Sequence, residues 1–382
     1  MKKAISILLL CALMVGLCVG MSGCGSKQET TKIGVILYNF TDIQGKEIQA
    51  YCDYLKANFP VEFVYRAVGS NDEDHISGLQ DLLSQGCKAI ISGYDTALSK
   101  SIAMCEEAGC YYVVALGSVS AVEFPAPDYQ PTPVEGIESK YFLGGTTQFG
   151  GDPAAVGVAY AQKAAEAGLK HIGAITFPTF AFAEGQAIYE AFKATLAQLN
   201  PDAEVYDLQE FMFTQELCNA EVTALISNHP EVDAVLGLGS GLDFIRPALQ
   251  AQNRADIKLL ALGYNDTVQS LMESGSVITA GTNNYTQITA SCFARIYDAL
   301  NGNSYADRTA EDLNAVVGYP VILSMDDLAD FQQIVVAADK ANSSITVDEL
   351  KSVMVTTNKD ATWAALNELT SRDVAAIKAA RG

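Results

Sequence analysis

Short apolar runs alternate with amphipathic stretches from residue 32 almost to the end of the chain. "KIGVILY" (32–38) is apolar after its first residue, the pattern of a strand covered on both faces. After Asp42, the positions Ile48, Tyr51, Cys52 and Leu55 share one helical face. "VEFVYRAV" is a second strand, and Asn71 or Asp72 is placed to cap a helix that turns Ile76, Leu79 and Leu83 inward. "KAIIS" is a third strand, 96–108 a helix, and "YYVVAL" a fourth strand, with Gly86 and Gly109 ending the two helices before them. The stretch 118–140 breaks the rhythm: it carries Pro125, Pro127, Pro131 and Pro133 without a clear period, and reads as a surface insertion.

The alternation then resumes. A helix opens at Pro153, and "HIGAITF" is a strand. A helix over 185–199 turns Ile188, Phe192 and Leu199 inward. "AEVYDL", "DAVLGLG", "IKLLALG" and "SVITAG" are further strands, a helix covers 286–300, and "AVVGYPVIL" is a late strand. The last part of the chain is helix-rich, and its Trp363 is placed to dock a helix. Repeated strand–helix units give parallel sheets covered on both faces. Two such blocks, divided near 144–149, predict an α/β protein of two doubly wound, Rossmann-like lobes.

The beginning of the chain is of another kind. Lys2 and Lys3 precede an apolar run over 4–19 and the small-residue stretch Gly20-Met21-Ser22-Gly23, the features of an export signal. Met21-Ser22-Gly23-Cys24 resembles the lipobox of bacterial lipoproteins, with Met in place of the more usual Leu. The resemblance implies cleavage after residue 23 and acylation of Cys24, with 24–31 as a flexible tether. Several acyl chains give a stable membrane anchor where one is marginal. The alternative is an ordinary signal peptide with an incidental cysteine.

The chain has 24 Lys and Arg against 45 Asp and Glu, a net charge of −21, and loss of the leader's two lysines makes it more acidic still. Such a chain is repelled by nucleic acid and by anionic lipid. Cys52, Cys87, Cys105, Cys110, Cys218 and Cys292 form no CxxC pair, and no Cys/His spacing suits zinc, so neither metal nor cofactor is expected. Cys87 and Cys110 open successive strands alike. Neighbouring strands would let their sulfurs meet, although buried free thiols are the favoured state.

The order of the pieces "IGVILYNFTDIQGKEIQAYCDYL", "GLQDLLSQGCKAIISGYDTALSKSIAMCEEAG", "FGGDPAAVGVAYAQKAAEAGLKHIGAITF", "VDAVLGLGSGLDFIRPALQAQ" and "KLLALGYNDTVQSLMESGSVITAGTNNYTQITASCFARIYDALNG" resembles that of type I periplasmic binding proteins. The likeness is to the sugar-binding group related to ribose- and galactose-binding proteins, and covers about 32–321. It implies a hinge of three crossovers, near Gly144, Asn283 and Gly318. Lobe 1 would be 32–143 with 283–317, and lobe 2 would be 144–282 with 318–382, including a helical C-terminal extension. Ligand would lie between the lobes at the carboxyl ends of the strands, and the lobes would close on it.

The loops leaving the strands supply the candidate ligand-binding residues. Lobe 1 offers Asn39 and Phe40 after the first strand, Tyr94 and Asp95 after the third, and Ser118 after the fourth. Phe40 reads equally as a stacking ring or as core. Asp95 reads first as a helix cap and Tyr94 as cleft lining. Lobe 2 offers Phe177 and Phe182 in "TFPTFAFAEG", where Phe177, Phe180 and Phe182 suggest an aromatic platform or a staple onto the following helix. Ser240, Asp243, Asn265 and Asn283 complete the set. The resemblance implies an Asp and Arg where this chain has Gly117 and Ser118, and an Asp where it has Asn265. Amides, hydroxyls and aromatics thus replace charged grips, which suits a small neutral polar ligand, sugar-like or nucleoside-like.

No nucleophile elbow, zinc-protease helix, P-loop or full dinucleotide fingerprint is present, so the chain reads as a binding protein and not an enzyme. A repressor of the same fold would carry a DNA-binding module where this chain carries an export signal. The resemblance implies delivery of ligand to an ABC transporter permease by a monomer held at the outer face of the cell membrane. The alternative is a sensory subunit docking on a membrane receptor or kinase.

Overall fold

The structure is a computed structural model and describes residues 30–69, 71–239 and 241–381. The leader, Cys24 and Ser240 lie outside the described residues.

Lobe 1 is built on β1 (Thr31–Leu37), β2 (Val61–Ala67), β3 (Ala89–Ser92) and β4 (Tyr111–Val114), all parallel in the order β2-β1-β3-β4. Between them run α1 (Ile43–Asn58), α2 (Asp72–Ser84) and α3 (Leu98–Ala108). Side-chain caps fix two of these helices. Asp42 accepts from Gly45 N–H at the start of α1, and Asn71 accepts from Asp74 N–H at the start of α2. The insertion forms a two-residue ladder of β5 (Val122–Glu123) and β6 (Thr132–Pro133). The chain then lays β7 (Gly145–Thr147) beside β4, where the Thr146 hydroxyl donates to Ala115 O at 2.5 Å.

Lobe 2 holds α4 (Pro153–Glu166), β8 (His171–Thr176), α5 (Glu184–Leu199), β9 (Glu204–Glu210), α6 (Gln215–Asn228), β10 (Ala234–Gly237), α7 (Arg246–Ala251), β11 (Lys258–Ala261), α8 (Val268–Glu273) and β12 (Val277–Gly281). Its strands β8 to β12 are parallel, and apolar clusters lie on both faces of the sheet. The helices α4 and α5 cross at Gly157, where a Cβ would stand 2.2 Å from Ile188 O, so only glycine admits this approach.

The chain re-enters lobe 1 with α9 (Tyr285–Leu300), nearly all of it buried, and pairs β13 (Asn314–Val316) with β7. It then crosses to lobe 2 as β14 (Val321–Ile322), antiparallel to β12. The expected single strand "AVVGYPVIL" is therefore two short strands in different lobes, because 317–320 is itself a crossover. Leu199, expected inward, is 52% exposed, and Leu196 fills the core instead. Leu82, not Leu83, joins Leu79 on the buried face of α2.

The tail departs furthest from expectation. After β14, α10 (Met325–Ile334) packs on lobe 2. The chain then returns to lobe 1, where Ile345, Leu350, Met354, Trp363 and Leu366 complete the core with α11 (Val347–Ser352) and α12 (Trp363–Thr370). Polar stitches hold this segment to α9 and the loop after it. The Asp298 carboxylate accepts from Val355 N and Thr356 N at 2.8 and 2.7 Å, and Asp307 accepts from Trp363 N at 2.7 Å. Finally α13 (Val374–Arg381) goes back to lobe 2, where Lys378 pairs with Asp330 of α10 at 2.7 Å. The extension was expected on lobe 2, but the apolar positions of 345–369 face an uncovered side of lobe 1.

The two extra crossings are tied to the other three. Gln287 Nε2 donates to Arg372 O at 2.7 Å while its Oε1 accepts from Gly318 N at 3.2 Å. Asn284 Nδ2 donates to Ser344 Oγ at 2.8 Å. A buried ion pair joins Lys340 to Glu47 of α1 at 2.5 Å.

The six described cysteines are free and buried. Cys87 and Cys110 do share a core cluster, and burial pushes the Cys87 thiol up to about 11.

Candidate functional site

In a parallel sheet every strand delivers its carboxyl end to the same edge, so each lobe presents one row of loops. On lobe 1 that row is Tyr38–Phe40, Tyr94–Asp95 and Ser118; on lobe 2 it is Phe177, Asp243 and Asn265. Asn283 lies on the crossover between β12 and α9.

At the β1 exit, Asn39 is consumed locally. Its Oδ1 accepts from Thr41 N and Asp42 N at 2.8 and 2.9 Å, and its Nδ2 donates to Asp42 at 2.8 Å. Phe40 packs edge-on against Tyr65 at 5.3 Å, so the core reading describes its contacts. Tyr94 stacks on Tyr38 with centroids 4.4 Å apart and donates to Gln44 Oε1 at 3.0 Å.

Asp95 is not a helix cap. The residue before α3 is Ala97, left-handed at φ 49° and without a side-chain cap. The insertion's Glu123 does that work instead, accepting from Ser99 N at 3.3 Å and from the Ser99 hydroxyl. Asp95 is left solvent-open with no side-chain partner among the described residues. Desolvation by the loops that crowd it raises its carboxyl above the usual range, its own backbone N–H pulls the other way, and the Glu123 carboxylate adds to the rise. Ser118 faces solvent within 3.1 Å of the Thr147 hydroxyl.

On lobe 2 the three phenylalanines diverge, so they form no single platform. Phe177 packs among Phe211, Phe213 and Phe244, and Phe182 turns down beside Phe149 and Gly185. Phe180 alone reaches lobe 1. Asp243 lies in a single wide helical turn, Gly241–Ile245, and accepts from Asn265 Nδ2 at 2.8 Å. Asn265 Oδ1 in turn accepts from Thr267 N at 3.0 Å.

The hinge floor joins the two rows. Burial pushes the Tyr285 phenol up to about 12. Thr282 and Asn283 beside its hydroxyl pull it down, while Asp42 of lobe 1 and Asp243 of lobe 2 push it up. Asn283 Oδ1 is buried here without a hydrogen-bond partner. A buried acceptor left unmet costs about 1–3 kcal/mol, and it marks a place where a donor belongs.

Sequence reasoning did not select Asp42, Tyr285, Tyr129 or Glu123. Tyr285 and Asp42 read as ordinary helix-start residues, and the other two sit in the aperiodic insertion. Among the described residues no group of His, Cys, Asp and Glu is placed to hold a metal.

Two α/β lobes with facing strand ends, joined at a multiply crossed hinge, define a bilobal binding protein. The sequence profile of the periplasmic binding protein domain matches residues 33–304, most of the chain, and the chain belongs to this family, one of binding proteins and not of enzymes. Similar solved structures include a sugar ABC transport substrate-binding protein from Bordetella parapertussis, at TM-score 0.60 and 15% identity over 78% of this chain and 91% of that one. Another is an ABC transporter periplasmic solute-binding protein from Actinobacillus succinogenes with bound D-allose, at 0.58 and 12% over 78% and 100%. A third is an ABC transporter solute-binding protein from Bacillus halodurans with bound myo-inositol, at 0.55 and 14% over 80% and 98%. No curated protein gives a significant match.

Proposed function

We propose that this protein captures a small neutral polyhydroxy ligand, sugar-like or nucleoside-like, between its lobes and delivers it to an ABC transporter permease. On this reading it works outside the cytoplasm, held to the membrane by acylated Cys24. The observation that carries the ligand class is the unmet Asn283 carbonyl at the hinge. It is joined by the free Asp95 carboxylate on lobe 1. Both accept hydrogen bonds, so the ligand must bring donors, as hydroxyls do. Neither group is paired with Lys or Arg among the described residues, and a carboxylate ligand would want such a cation. The sugar and cyclitol bound by the structural relatives agree with this choice.

A thermal-shift panel of free sugars, cyclitols, nucleosides and acidic amino acids tests it. A ligand at a hundred times its dissociation constant adds about 2.7 kcal/mol of stability. A shift is expected from a polyhydroxy compound, and Asn283→Ala should weaken that compound about tenfold while the ligand-free melting temperature holds or rises, because the variant removes an unmet buried acceptor. A response confined to acidic amino acids overturns the reading. For the anchor, radiolabelled fatty acid should enter the wild type and not Cys24→Ser.

A further inference from the structure

We propose that the insertion 118–140 is a lid that latches the cleft shut from lobe 1, through a ring stack on Phe180 of lobe 2, and that it does so without ligand. The lid is fastened to its own lobe. Its β5–β6 ladder pairs Val122 with Pro133. Glu123 and Glu135 N–H both engage Ser99 at the start of α3, and Val119 is held on both sides by the Asn314 amide, at 2.8 and 2.9 Å.

Phe180 is fastened equally to the other lobe. The neighbouring Thr179 N–H and hydroxyl donate to Glu210 of β9 at 3.1 and 2.5 Å, and Phe213 meets the Phe180 ring edge-on at 6.3 Å. Between these two anchored elements, Tyr129 lies flat on Phe180 with centroids 4.5 Å apart and planes inclined by 24°, and Phe124 flanks it at 5.9 Å. All three rings are half-buried because they cover one another. Tyr129 takes a left-handed backbone at φ 52°, a region that an L-residue enters at a cost, and which turns its ring onto the other lobe.

Each ring is fixed to a different lobe, so a hinge rotation that parts the lobes must break the stack. An aromatic pair of this kind shifts a two-state balance by about 2- to 10-fold toward the state that contains it. Phe180 and Tyr129 are therefore positioning residues: they set how much of the ligand-free protein is closed, and so how long a captured ligand is held.

The test needs no ligand, so it stands or falls apart from the ligand reading above. Small-angle scattering of the ligand-free wild type should fit the closed lobe arrangement. Phe180→Ala and Tyr129→Ala, one on each lobe, should each raise the radius of gyration. The double variant should raise it no further than either single one, and Phe180→Tyr should restore the wild-type curve. Circular dichroism of each variant separates opening from unfolding, and a misfolding variant leaves its counterpart on the other lobe to decide. Unchanged scattering in a folded single variant, or a wild type that already fits an open arrangement, overturns the proposal.

Discussion

At the scale of single residues, burial decides which groups carry charge. His75 is 3% exposed in the lobe 1 core, with its Nε2 3.3 Å from the Tyr112 hydroxyl, and burial lowers its pKa to about 4. In the unfolded chain the same ring titrates near 6.5. Between those values the unfolded state binds the extra proton, so native stability falls as pH drops through the window. His75→Gln keeps a polar group for Tyr112 and removes the titration. Urea unfolding at pH 7.5 and at pH 4.5 should show the wild type losing about 2–3 kcal/mol more than this variant over that span. Equal losses would mean that the ring is already hydrated in the native state.

At the scale of elements, α3 begins in a way that its own sequence does not support. Asp95 looks like a cap, yet Ala97 in a left-handed conformation separates it from the helix. One of the first free amides, that of Ser99, is met from the insertion, by Glu123. A carboxylate at a helix N-terminus typically contributes about 1 kcal/mol through hydrogen bonding and the helix dipole. Glu123→Ala should cost about that much in chemical unfolding and should speed proteolytic cleavage within 118–140, because one contact serves both helix and lid. Loss of stability with no gain in cleavage would show that the lid is held by its other fastenings.

At the scale of the whole molecule, the tail makes the hinge. Three crossovers carry the family design, and the tail adds two more, tied to the first set through Gln287, Asn284 and Arg372. It also supplies Leu350, Met354, Trp363 and Leu366 to lobe 1. Deleting 343–382 should therefore unfold lobe 1 and leave lobe 2 folded. Limited proteolysis should find new cleavage sites within 31–143 and none within 153–281. Protection of lobe 1 in the truncated chain would show that its core closes without the tail.

The periodicity of the sequence determined much on its own. Apolar runs such as 32–38 and 234–237 can be satisfied only between covering helices, so the main parallel strands of each sheet and the two-lobe plan were legible from residue order, while the short strands β5, β6 and β7 were not. Asn283 was singled out through the family resemblance, which sets its amide where relatives place a ligand-binding amide near the hinge. Tertiary structure decided the rest. The burial of Leu82 over Leu83 and the exposure of Leu199 depend on helix rotation, which a repeat of 3.6 residues fixes only loosely. The split of "AVVGYPVIL" and the return of 345–369 to lobe 1 depend on which apolar surface is left uncovered, and no local pattern encodes that. The role of Asp95 changed because Glu123, distant in sequence, reached the helix first. Phe180 looked like a staple or a platform residue, and became a latch only when an aperiodic loop from the other lobe was brought to lie on it.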